Sequence, residues 1–68
     1  MPKLKDIEDL FQDDDMLRLF ETGQVLCRLS SYVSDIYENY DVVAVVPQLD
    51  PDTGEIFNVI DIEEDKNA

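Results

Sequence analysis

Between Gln24 and Tyr40 the chain reads QVLCRLSSYVSDIYENY, and its apolar residues recur at helical spacing. Val25, Leu26, Leu29, Tyr32, Val33, Ile36, Tyr37 and Tyr40 fall three and four apart for more than four turns. One apolar stripe with polar residues opposite is the pattern of an amphipathic helix, so a long central helix is predicted there. Upstream, Leu4, Ile7, Leu10 and Phe11 follow the same period after Pro2, which suits a first helical turn. They predict a helix over Pro2–Gln12. Met16, Leu17, Leu19 and Phe20 then predict a short second helix, capped by Asp13, Asp14 and Asp15 and stopped near Gly23. One bent helix from Pro2 to Thr22 satisfies the same spacing.

From Asp41 the period changes to two. Val42-Val43-Ala44-Val45-Val46 is rich in β-branched residues, and Glu55-Ile56-Phe57-Asn58-Val59-Ile60-Asp61-Ile62 is a second strand-forming run. Between them lies Asp50-Pro51-Asp52-Thr53-Gly54, in which Pro51 presets φ for a turn and Gly54 can return the chain at positive φ. Pairing Asp50 with Glu55 sets Leu49 opposite Ile56, Val45 opposite Ile60 and Val43 opposite Ile62. Pro47 lacks a ladder donor and marks an edge or a bulge.

The expected fold class is therefore α+β. Two short N-terminal helices, or one bent helix, precede a long central amphipathic helix, and a C-terminal antiparallel β-hairpin packs on it. Residues 1–62 form a single small domain and 63–68 a frayed acidic tail. Leu10, Leu29, Val33, Ile36, Val43, Val45 and Ile60 are expected among the most buried residues. The small residues Cys27, Ser30, Ser31 and Ser34 share the opposite face of the central helix as a second packing surface.

Composition narrows the chemistry. A chain of 68 residues has a limited core, so a partner subunit would add stability, and a homodimer is expected through hairpin edges or the small-residue face. Cys27 is the sole cysteine and histidine is absent. No intramolecular disulfide can form, no thiolate cluster can hold zinc, and the usual general base near neutral pH is missing. Nothing around Cys27 activates it as a nucleophile. The N-terminus carries charges in place of a signal peptide's apolar run, and no stretch reaches the roughly 20 apolar residues of a bilayer span. A lone thiol fits a reducing compartment, so the expected setting is cytoplasmic, with no membrane partner.

Asp50–Glu55 has acids and a glycine, yet Gly54 falls at the fifth place of the loop, where a calcium-binding EF-hand needs it at the sixth. It reads as a plain turn. Asp13-Asp14-Asp15 reads as a solvated cap, since adjacent side chains do not converge on one ion. No cofactor, metal or catalytic residue is expected.

Charge is the remaining clue. Seventeen acids against five bases give −12, which repels nucleic acid and anionic membranes. In size and charge over the whole chain, though in no motif, the protein resembles the small acidic inhibitors that bacteriophages direct against nucleases, restriction systems, CRISPR effectors and DNA glycosylases. The expected function is a non-enzymatic protein-binding module, subunit or adaptor. The alternative, implied by that resemblance, is inhibition of a nucleic-acid enzyme by DNA mimicry. In either case the partner is a basic protein surface, and the candidate contact residues are Asp13, Asp14, Asp15, Phe20, Glu21, Asp35, Glu38 and Phe57.

Overall fold

A computed structural model describes residues 1–65. It contains a four-residue helix α1 (Leu4–Ile7), continued by a 3₁₀ turn over Glu8–Leu10, and four strands. These are β1 (Met16–Leu19), β2 (Val25–Arg28), β3 (Asp41–Leu49) and β4 (Ile56–Glu63), with a 3₁₀ segment over Tyr32–Tyr37 between β2 and β3. The sheet runs in the order β2-β1-β4-β3. β1 pairs parallel with β4, while β1·β2 and β3·β4 are antiparallel.

This overturns the helix-plus-hairpin architecture. The segment expected to be a second helix is β1, an inner strand of the sheet. The long central helix does not exist: Gln24–Tyr40 divides into β2, a turn and the 3₁₀ segment. Serine chemistry divides it. The Ser31 hydroxyl caps the segment by accepting the Val33 N–H, and Ser34 Oγ donates to the Leu29 carbonyl at 3.1 Å. Such local bonds compete with the helical ladder, and the β-branched Val25, Val33 and Ile36 already favour extended or irregular backbone. The small-residue packing face disappears with the helix. Cys27 lies in β2, and Ser34 is a buried residue of the 3₁₀ segment itself.

β3 and β4 do pair through the Asp50–Gly54 turn. Asp50 N–H donates to the Glu55 carbonyl at 2.8 Å, and Gly54 has φ +74°. Leu49 faces Ile56 and Val45 faces Ile60, the register read from the turn. Beyond Ala44 the register shifts. Val43 is an extra residue, so Val42, and not Val43, lies opposite Ile62. A bulge of this kind re-aims the strand, and it brings Val42 into the core.

One sheet face carries the core. Leu17, Ile60, Ile62 and Val42 meet Leu4 of α1, with Ile7, Phe11, Tyr37 and Tyr40 around them. The Tyr37 and Tyr40 rings pack edge to face at 5.1 Å. Of the residues expected to be buried, Ile60 is; Leu10 is 80% exposed and Ile36 67%. Both lost their places because the helices meant to turn them inward are short turns.

β4 is buried on its other face too, at Val59 and Asp61. Asp61 stands beside Arg18 in the parallel register, and the guanidinium donates to it through Nε at 2.6 Å and Nη2 at 3.0 Å. At the far end of β4, Glu63 is the last strand residue, and the Asp65 carboxylate receives a hydrogen bond from Lys3 Nζ. The rest of the tail expected over 63–68, residues 66–68, lies outside the described residues. Lys3 Nζ also contacts Asp41 at 2.9 Å. Among the described residues no helix is long and apolar enough to cross a membrane.

Candidate functional site: a notch beside the hairpin

The hairpin outgrows its neighbour. β1 pairs with β4 only from Val59 to Ile62, whereas β3 pairs with β4 back to Ile56. The first residues of β4 thus extend past the start of β1, and a notch of about 410 Å³ opens there. Gln12, Asp14, Met16 and Arg28 line one side. Leu49, Ile56 and Phe57, with Asp50 and Glu55 at the turn, line the other.

Asp15 lies in the chain between Asp14 and Met16, which line the notch. It is only 1% exposed. Its Oδ1 accepts the Asn58 N–H at 2.9 Å, and its Oδ2 accepts the Gln12 N–H at 3.0 Å. The Asn58 side-chain amide adds a longer bond at 3.4 Å, and the Asp15 carbonyl accepts the Leu29 N–H at 2.7 Å. A carboxylate thus replaces the backbone partner that β4 loses where β1 begins. The three consecutive aspartates therefore do unlike things. Asp13 and Asp14 are exposed and offer their carbonyls to Ser30 N–H and to Arg28 Nη1, while Asp15 ties three segments together. None of them caps a helix, because a strand follows.

The phase of the hairpin bonds determines which backbone groups face the notch. Since Asp50 and Glu55 form a bonded pair, the next pair, Leu49 and Ile56, is of the wide type, with N–H and C=O groups turned away from each other. Ile56 therefore points its N–H and C=O outward, the same way as the Asn58 N–H that Asp15 captures. Its side chain is 70% exposed. On β3 the same phase turns the Pro47 nitrogen toward the open edge of the sheet, where no ladder donor is needed.

The other candidate residues are scattered. Phe57 and Asp14 both line the notch. Phe20 and Glu21 follow β1 at the opposite end of the β1·β4 pair, where Glu21 borders a smaller hollow of about 190 Å³ with Tyr40 and Glu63. Phe20 is exposed and donates its N–H to the Ile62 carbonyl. Asp35 and Glu38 are exposed on and just after the 3₁₀ segment. The calcium-loop lookalike is a turn in which Asp50 Oδ1 accepts the Asp52 N–H at 2.9 Å and its carbonyl the Gly54 N–H at 2.8 Å. Among the described residues no three metal-ligating side chains converge.

No family model, curated protein or solved structure matches this chain. What the fold can do must be judged from its own groups.

Those groups are largely engaged in holding strands. Hydrogen bonds from Lys3 to Asp65 and then to Asp41 raise the Lys3 pKa above its ordinary 10.5. The Asp61 bonds likewise raise that of Arg18. Burial pushes the Cys27 thiol up, away from the reactive thiolate. No signal in the sequence marks Ile56, Met16 and Arg28 as notch residues. Their meeting depends on the β1·β4 register, and pairing across more than forty residues leaves no local signal.

Proposed function

We propose that this chain is a non-catalytic, protein-binding module, a subunit or adaptor whose partner presents a basic surface. One observation carries the proposal: of seventeen acids only Asp15 and Asp61 are buried. Both serve the fold, Asp61 with Arg18 and Asp15 with backbone donors. The remaining carboxylates leave a strongly negative surface, because Lys3 and Arg18 are already committed to acids. Such a surface repels nucleic acid and steers association with cationic proteins. The sole cysteine suits a reducing, cytoplasmic setting.

A second form of the same interaction, mimicry of nucleic acid, has one observation in its favour. The molecule extends 40 × 22 × 19 Å. Spread along 40 Å, a net −12 averages one charge per about 3.3 Å, close to the one per about 3.4 Å of a single nucleic-acid strand.

The test is affinity purification with the tagged chain at low salt, followed by reconstitution of the purified pair. A one-to-one complex whose affinity falls as salt rises, with contacts mapped to lysines and arginines of the partner, is expected. A partner bound through an acidic or uncharged surface, with no salt dependence, would sink the proposal. Displacement of the chain by duplex DNA from that partner selects mimicry over an adaptor role.

A further inference from the structure

We infer that the notch beside β4 is a strand-addition site for an extended, lysine- or arginine-bearing segment of the partner protein. The inference rests on the basic-partner proposal and gives it a location. Three features converge on one side of the hairpin. The first is backbone. Ile56 turns an N–H and a C=O outward at the end of a row that Asp15 occupies at Asn58. An extended residue set opposite Ile56 exchanges two hydrogen bonds with it, as in any sheet that gains a strand.

The second is apolar lining. Met16, Leu49, Ile56 and Phe57 border the same space, and Leu49 and Ile56 stand largely exposed at the hairpin end. Side chains alternate along a strand, so Leu49 and Ile56 stand on one face of the sheet and Met16 and Phe57 on the other, and a peptide lying there would set one face of its own beside each pair. The third is charge. Asp14, Asp50 and Glu55 rim the notch, and Arg28, which also lines it, is turned to the Asp14 carbonyl. Alternate residues of the peptide should therefore be cationic, to meet these carboxylates. Asp15 fixes where the added strand stops, because its carboxylate already holds the next backbone donor of β4.

The probe is an octapeptide of alternating lysine and valine, capped at both ends, titrated at low ionic strength into the ¹⁵N-labelled chain. The largest amide shifts are expected at Ile56, Met16, Leu49 and Phe57. A version of the peptide N-methylated on one edge keeps charge and side chains but loses its donors, and should bind roughly tenfold more weakly. Ile56→Pro removes the outward N–H while sparing the β3·β4 ladder, and should weaken binding by a similar factor. Ile56→Ala keeps the N–H and should bind within about threefold of the parent. Shifts confined to Glu21, Asp35 and Glu38, or equal binding of the N-methylated peptide, overturn the strand-addition site and leave the basic-partner proposal standing. No shift anywhere in the chain overturns both.

Discussion

Asp15 is the residue on which the chain's irregular half depends. Its carboxylate answers two backbone donors from different segments, one in β4 and one in the loop after Phe11. Deleting it as Asp15→Ala strands buried donors, and should cost about 2–3 kcal/mol in urea unfolding. Asp15→Asn should cost more than half of that, since one oxygen becomes an NH₂ group facing another N–H. Asp13→Asn and Asp14→Asn, at exposed positions, should stay within about 0.5 kcal/mol of the parent. Equal stability of the Asp15 and Asp14 variants would contradict the bonding described. In the sequence the three aspartates look alike, because nothing local distinguishes the one that meets β4. Lys3 makes a second prediction. Pairing raises its pKa above the ordinary 10.5, so the folded chain holds this proton more tightly than the unfolded one. Its stabilisation is complete below pH 10.5 and fades as pH climbs through the raised value. The parent should therefore unfold later than Lys3→Met at neutral pH, with the gap closing in strong alkali. A gap that persists there would mean that charge pairing is not its source.

At the scale of elements, what was legible follows from what is local. The Asp50–Gly54 turn and the register of Val45–Leu49 against Ile56–Ile60 are written in neighbouring residues, and both are present. The helical period over Gln24–Tyr40 misled for an equally physical reason. A 3₁₀ segment also repeats at three residues, and Ser34, Tyr37 and Tyr40 lie inward on that spacing without an α-helix. The apolar residues of β1 satisfied a helix too, since four residues are too few to separate periods of 2 and 3.6. The bulge at Val43 had no signature in the chain. Pro47 did: its missing donor faces outward from β3, now seen as an edge strand. Edge strands invite pairing with other copies, and proline interrupts the row of donors. Pro47→Val should keep the fold and raise self-association roughly tenfold or more, about one added hydrogen bond. Sedimentation velocity of parent and variant checks this, and identical profiles would mean that the edge is shielded by something other than Pro47.

For the molecule as a whole the decisive fact is strand order. β4 lies between β1 and β3, so the two halves of the sheet meet only through it. A fragment of residues 1–54 should lack cooperative unfolding and sheet-type circular dichroism, since β1·β2 is a lone four-residue pair and β3 keeps beside it only the short bridge of Lys3 to Asp41. A folded fragment would show that the central strand is dispensable. The same order governs the chain as it is synthesised. β1, β2 and β3 leave the ribosome before the strand that unites them, so for that interval Leu17, Val42 and their neighbours have no core to enter. Unfinished chains are exposed to one another during this wait. Thirteen of the seventeen acids precede Ile56, so the repulsion that burdens the finished fold is already in place to keep unfinished copies apart.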